Sequence, residues 1–209
     1  MNKKILISII IVISFIIGIY FYPLMPEKMA SHWNFQGQAD GYASKEFGLF
    51  FFPVFLLAMV LILLFVPKID PLKNNIEKFK DSYERFIALF SIFFVYIYCL
   101  TILWNIGISF NMNVLLMPAL ALLFYYMGVL LKQAKRNYFI GIRTPWTLSS
   151  DVVWDKTHDL GEKLFKLIGL FTLVSVFFPK YAFVFILIPI IIFPIYLVVY
   201  SYYEFKKQK

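Results

Sequence analysis

Read for polarity alone, the chain alternates long apolar runs with short polar connections. Behind Lys3 and Lys4, Ile5–Tyr22 carries no charge, and Phe47–Val66 repeats the pattern with Pro53 inside it. A proline is tolerated in a membrane helix when neighbouring groups satisfy the freed carbonyl. Between Phe86 and Leu131 there is no Asp, Glu, Lys or Arg. At about 1.5 Å per residue that run overshoots a hydrocarbon core of about 30 Å. Asn111-Met112-Asn113 supplies the break, since Asn favours turns, and predicts a helical hairpin with arms near 86–109 and 113–132. Leu167–Phe178 is short for a crossing, although Lys163 and Lys166 can snorkel their ammonium groups to the headgroups and lengthen it. After Pro179-Lys180 comes a last span, Tyr181–Tyr203, expected to bend at Pro189 and Pro194. The pattern predicts an all-α integral membrane protein with six transmembrane helices.

Composition agrees. With 61% hydrophobic and 15% charged residues, the chain holds too few charges for a soluble domain, where about a quarter are charged. The net charge of +8 would suggest nucleic acid in a soluble protein. In a membrane protein it reflects the Lys/Arg excess of cytoplasmic loops, so direct nucleic-acid binding is not expected. The Lys/Arg bias predicts that both termini are cytoplasmic, since only Lys28, Lys45 and Lys180 of the 20 Lys and Arg then fall on exterior segments. Tyr20 and Tyr22 at one interface, and Tyr125, Tyr126, Tyr200, Tyr202 and Tyr203 at the other, fit aromatic belts. The opening run resembles a secretory signal, but it is long and ends in the bulky Tyr20-Phe21-Tyr22-Pro23 with no A-x-A site, which favours an uncleaved helix. Cys99 stands alone in an apolar run, so no intramolecular disulfide forms.

Three polar segments hold the candidate chemistry. In the exterior loop 23–45, His32, Asp40 and Glu27 are a thin set for a metal, and a loop held by side-chain-to-backbone hydrogen bonds is the better reading. Residues 67–85 mix Lys68, Lys73, Lys78, Lys80 and Arg85 with Asp70, Glu77, Asp81 and Glu84, as a solvated linker does. The third segment, Asn137-Tyr-Phe-Ile-Gly-Ile-Arg-Thr-Pro-Trp-Thr-Leu148 and on to His158, is dense in Gly, Arg, Pro and Trp. Pro145 biases Thr144 toward extended geometry, which predicts a loop at 144–146, and Ser149 or Ser150 can cap a helix carrying Asp151 in its first turn. Trp154 and His158, four apart, share a helix face. Arg143 is expected to pair with Asp151 or Asp155, or to clamp a partner's carboxylate or phosphate, and Trp146 and Trp154 offer flat surfaces to an interface or a partner.

The string N-x-x-I-G-I-R-T-P-W-T-L, at Asn137, Gly141, Arg143, Thr144, Pro145 and Trp146, followed by W-x-x-T-H at Trp154 and His158, resembles the signature of the SdpI family. Those are multi-pass membrane immunity proteins against a secreted peptide toxin. The exterior loop resembles a small domain of uncharacterised function often found at the start of such proteins, through Pro26, His32, Trp33, Asn34, Gly37, Asp40 and Lys45, with Ala30 where that family more often has Pro. The resemblance implies a protein of the cell membrane that protects against a secreted hydrophobic peptide, with toxin contact at His32, Trp33, Asn34, Gly37, Asp40 and Lys45. In some systems it also implies capture of a cytoplasmic winged-helix repressor. It implies no cofactor.

No catalytic residue is singled out. H-E-x-x-H, Walker, G-x-S-x-G and paired-Cys motifs are lacking, and the expected topology puts His32 and His158 on opposite sides of the membrane. The rival reading is a secondary transporter or exporter with a 3+3 inverted repeat, because three spans are followed by three of opposite orientation. Against it, the halves lack evident similarity and the span centres carry no ionisable group, with Thr101 and Asn105 explained by interhelical hydrogen bonds. The expected organisation is 1–66, two membrane helices with the exterior loop; 67–132, linker and helical hairpin; and 133–209, cytoplasmic signature loop and last two helices.

Overall fold

Every apolar run becomes helix, and the polar segments lie between the helices. The computed structural model describes residues 3–208. In chain order it contains α1 (Lys3–Phe21), the strands β1 (Lys28–Trp33) and β2 (Ala39–Ser44), and α2 (Lys45–Ile69). Then come α3 (Lys73–Glu77), α4 (Lys80–Asn105), α5 (Met112–Gln133), α6 (Pro145–Ser149), α7 (Asp151–Val174) and α8 (Ala182–Lys206). Pro53 and Pro67 lie inside α2, and Pro189 and Pro194 inside α8, without ending either helix.

Five helical segments are long and apolar enough to cross a membrane: Lys3–Leu24, Lys45–Ile69, Lys80–Asn105, Met112–Gln133 and Pro179–Lys206. The segment expected as the fifth of six spans is not among them, because its helix α7 carries charged side chains as far along as Lys166. Yet α7 lies alongside α5 for most of its length. A Cβ on Gly128 would sit 2.7 Å from the Glu162 carbonyl oxygen, and one on Gly169 would sit 2.8 Å from that of Ala121. The pairs run in opposite directions with equal spacing, so the two helices are antiparallel and in step, with backbones in near contact as small residues allow.

Three expectations need correction. The exterior loop is not irregular: β1 and β2 form an antiparallel hairpin, so the chain is mostly helical rather than wholly so. Met29, Leu49, Tyr98 and Ile102 bury one apolar side of the hairpin against α2 and α4, which stabilises a two-stranded ribbon too small to stand alone. The 67–85 linker is largely helix, since Pro67–Ile69 extend α2 and Lys80–Arg85 open α4. Finally, α4 ends at Asn105 instead of near 109. Gly107, at φ +95°, donates to the Trp104 carbonyl at 3.1 Å while Ile108 donates to that of Leu103 at 3.1 Å, a Schellman closure. The expected break at Asn111 holds, its side chain capping α5 through the N–H groups of Asn113 and Val114.

The polar segments gather at two ends. At the hairpin end, Asn105, Asn111 and Asn113 reach the main chain of residues 30–36. At the loop end, Lys3 pairs with Asp81, Asn75 reaches the Arg136 carbonyl, and Ser150 reaches Gln208. His32 and His158 therefore sit at opposite ends and share no chemistry.

Candidate functional site

At the loop end the chain from Ala134 to Ser150 has little regular structure, yet nearly every turn is pinned by a named side chain. Asn137, fully buried, is the hub. Its amide nitrogen donates to the carbonyls of Lys135 (2.8 Å) and Ile140 (2.9 Å), and its oxygen accepts from the N–H groups of Phe139 (2.9 Å) and Ile140 (2.6 Å). One amide thus satisfies four main-chain groups that helix or sheet would otherwise satisfy.

Gly141 follows at φ +112°, and a Cβ there would collide with the Nε2 of His158. That close approach lets Nε2 accept the Ile142 N–H at 3.0 Å, while Nδ1 lies 2.8 Å from the Trp154 carbonyl. A carbonyl only accepts, so the proton is on Nδ1 and the ring is the neutral tautomer. Burial pushes its pKa down to about 4, since a cation would be desolvated and would turn an N–H against the Ile142 N–H. Trp154 stacks on this ring at 4.0 Å and donates its indole N–H to the Ala134 carbonyl at 2.8 Å. Both residues are buried, so Trp154 offers no surface to a partner, contrary to expectation.

Pro145 opens a helical turn, α6, where a loop was expected. Its missing N–H costs nothing at the first helical position, and Thr144, extended as expected, forms a capping box with Thr147. Thr144 Oγ1 also lies 3.0 Å from Ser201 Oγ, docking the turn on α8, while Trp146 meets Tyr202 edge-on at 5.1 Å. Ser150 caps α7, as anticipated, through the Val153 N–H.

Arg143 is exposed and donates to the Tyr138 carbonyl at 2.9 Å; it pairs with neither Asp151 nor Asp155. Arg136 takes that role, with its Nε 2.9 Å from Asp151 and an Nη1 donating to the Leu148 carbonyl at 2.8 Å. Lys135 approaches Asp155 at 3.4 Å.

Sequence reasoning missed Asp70, 2% exposed, whose carboxylate accepts from Leu72 N–H (2.6 Å) and Tyr138 N–H (2.8 Å). Together with Asn75 it ties the supposed solvated linker to the signature loop. The Asp70-Pro71 pair is a turn signal that marked the first of these bonds, but not the second.

At the hairpin end, Asn34 Oδ1 accepts from Gln36 and Gln38 N–H and closes the turn. Gly37 lies buried against the Asn111 side chain, which donates to the Gln36 carbonyl at 3.0 Å, and Asn113 donates to that of Phe35 at 2.8 Å. Asn105, expected to bond between helices, instead accepts from Ala30 N–H (2.7 Å) and donates to Ala30 C=O (3.1 Å). Thr101 bonds back to Ile97 within α4. His32 Nδ1 is 2.6 Å from Asp40, while Glu27 pairs with Lys45 at 2.7 Å, so two of the three groups considered for a metal pair with each other and the third turns elsewhere. Among the described residues no group of three ligating side chains could hold a metal. Trp33 meets Trp104 edge-on at 6.0 Å.

The fold and these two ends define a class: a multi-pass, mostly helical membrane protein with a braced hairpin at one end and a side-chain-pinned loop at the other. Residues 133–201 match the SdpI/YfhL protein family, and residues 9–57 match a domain of unknown function, DUF1648. The signature string at 137–158 and the hairpin residues at 26–45, which carry the resemblance to the SdpI family and to the small domain before it, lie inside these two matched segments. Over its full length it is 26% identical, across 208 residues and 98% of the relative's length, to the immunity protein SdpI of Bacillus subtilis (strain 168). No solved structure matches the chain.

Proposed function

We propose that this chain is a membrane immunity protein that protects its cell from a secreted hydrophobic peptide toxin. The observation that carries the reading is end-to-end similarity to a protein named for immunity, covering both polar ends at once. In this reading six helices cross the bilayer, with α7, packed antiparallel on α5, as the fifth in chain order, and both termini are cytoplasmic. The hairpin then faces outside and meets the toxin through His32, Trp33, Asn34, Gly37, Asp40 and Lys45. Residues 133–162 face the cytoplasm, where the exposed Arg143 and the half-buried Trp146 are the contacts open to a repressor held at the membrane. The divisions at 66 and 132 belong to the same proposal.

The transporter reading draws little support. In the first half α1, α2 and α4 each pack on the other two, whereas in the second α7 lies between α5 and α8. Two halves of an inverted repeat would pack alike.

Survival of a sensitive bacterium expressing the chain, challenged with secreted peptide toxins, tests the reading. His32→Ala with Trp33→Ala should lower protection while membrane abundance, checked by immunoblot, stays constant. Normal insertion with no protection against any toxin sinks it. Orientation is tested in a Cys99→Ala background with Gln38→Cys and Ser149→Cys. A membrane-impermeant thiol reagent on intact cells should label the first, and labelling only the second would reverse the topology.

A further inference from the structure

The hairpin has two edges, and they are treated differently. In an antiparallel pair, residues alternate between exchanging main-chain hydrogen bonds with the partner and pointing those groups outward. Lys45 N–H donates to the Glu27 carbonyl at 3.1 Å, so the 27/45 pair is bonded. With Lys28 opposite Ser44, Met29 opposite Ala43 and Ala30 opposite Tyr42, the alternation makes 29/43 bonded and 30/42 unbonded. The Asn105 clamp confirms this independently, because the Ala30 N–H and C=O both point away from β2 to meet it. The β1 edge is therefore closed by an amide that imitates a neighbouring strand. The matching groups of Tyr42 point outward from β2, where no side chain of the described residues meets them. Tyr42 itself is 59% exposed. Immediately after β2, the exposed Phe47 and Phe51 stack at 4.8 Å, and Phe55 continues the row at 5.7 Å down α2.

We propose that the open edge of β2 takes up an extended segment of an incoming apolar peptide as a third strand, bonded to the Tyr42 N–H and C=O, with its apolar side chains lying on the Phe47–Phe51 row. A bare strand edge is a template for another main chain, and the outward pair on β2 is that of Tyr42, just before the ladder's register shifts. This rests on the immunity reading for the identity of the peptide, and names how the same end would grip it.

The test uses the full chain, 15N-labelled, in lipid nanodiscs, with the synthetic strand former Ac-Val-Thr-Val-Thr-Val-Thr-NH2 as probe. Hydrogen exchange at the Tyr42 amide is read by NMR. In the free chain Tyr42 should exchange much faster than Ala43, whose N–H faces β1. The probe should slow Tyr42 exchange at least tenfold, and its fully N-methylated version should have no effect. Tyr42→Pro, which removes the outward donor together with the exposed ring and fixes φ, should weaken probe binding at least tenfold, and the Met29 and Ala43 amides, still protected, show that the ladder survives. Tyr42→Phe should bind like the parent chain. A Tyr42 amide already protected without probe, whether by a second copy or by headgroups, overturns the proposal. So does equal protection by the N-methylated peptide, or none at millimolar probe. Loss of cell protection with probe binding intact would count against the immunity reading alone.

Discussion

The two polar ends solve the same problem in opposite ways. Each must fix a non-helical stretch of main chain to the tops of membrane helices. At the hairpin end the strands satisfy most of their own hydrogen bonds, and α4 and α5 brace them from outside through Asn105, Asn111 and Asn113. At the loop end the main chain satisfies little of itself, and buried side chains within or beside it, Asn137, His158, Thr144, Thr147 and Asp70, take over. The difference teaches which end tolerates change. A ribbon with external braces loses one brace and keeps its ladder, whereas a loop whose hubs are buried leaves orphaned polar groups when any hub is lost.

The largest effect expected is therefore at the loop end. Gly141→Ala forces a side chain into a left-handed conformation and against His158, and should cost on the order of 3 kcal/mol or more. Asn137→Ala orphans four main-chain groups and should be comparable, at roughly 1–3 kcal/mol for each group that finds no water. Thermal unfolding of the purified protein in detergent reads both. If either variant melts like the parent, the buried hubs do not hold the loop.

Acid offers a second way to separate the ends. The neutral His158 ring is favoured when folded, so the unfolded chain takes up the proton first as pH falls. Its contribution is intact above the ordinary value of 6.5, declines between there and about pH 4, and is spent below. The span corresponds to on the order of 3 kcal/mol. Thermal unfolding across this range should show the decline in the parent chain and lose most of it in His158→Gln, while protection of the hairpin amides stays flat.

Smaller again is Asn105→Ala, which uncovers the Ala30 N–H and C=O. It should cost about 1–2 kcal/mol and raise exchange over residues 28–33, with the loop end unchanged. If the loop end loosens as well, the ends are coupled through α4 and the comparison fails.

The smallest effect expected is Arg143→Ala, below about 1 kcal/mol, because an exposed guanidinium gives up one hydrogen bond to the Tyr138 carbonyl. Arg136→Ala should exceed it, since Arg136 holds both Asp151 and the Leu148 carbonyl. A lower melting temperature for Arg143→Ala than for Arg136→Ala would reverse the assignment of the bracing arginine.

The sequence by itself determined the class. Uncharged runs long enough to cross a bilayer have nowhere else to go, and the caps that Asn111 and Ser150 form reach N–H groups within three residues of themselves, so that part of their chemistry is readable in one dimension. The signature string and the Trp154–His158 face were legible for the same reason, because helical spacing puts the pair together without help from the rest of the fold.

What only the tertiary structure decided are the contacts that join distant segments. Asp70 to Tyr138, Asn75 to Arg136, Asn105 to Ala30 and Thr144 to Ser201 span 57 to 75 residues, and no local preference encodes which carbonyl an amide will meet. The partner of Asp151 was of this kind: Arg143 was expected, yet Arg136 stands beside Asp151 while Arg143 is exposed beyond the turn at Gly141. The hairpin was hidden for a related reason. Its short strands gain their stability from Met29 packing on Leu49, Tyr98 and Ile102, and from an asparagine that becomes a strand's neighbour only once α4 stands beside it.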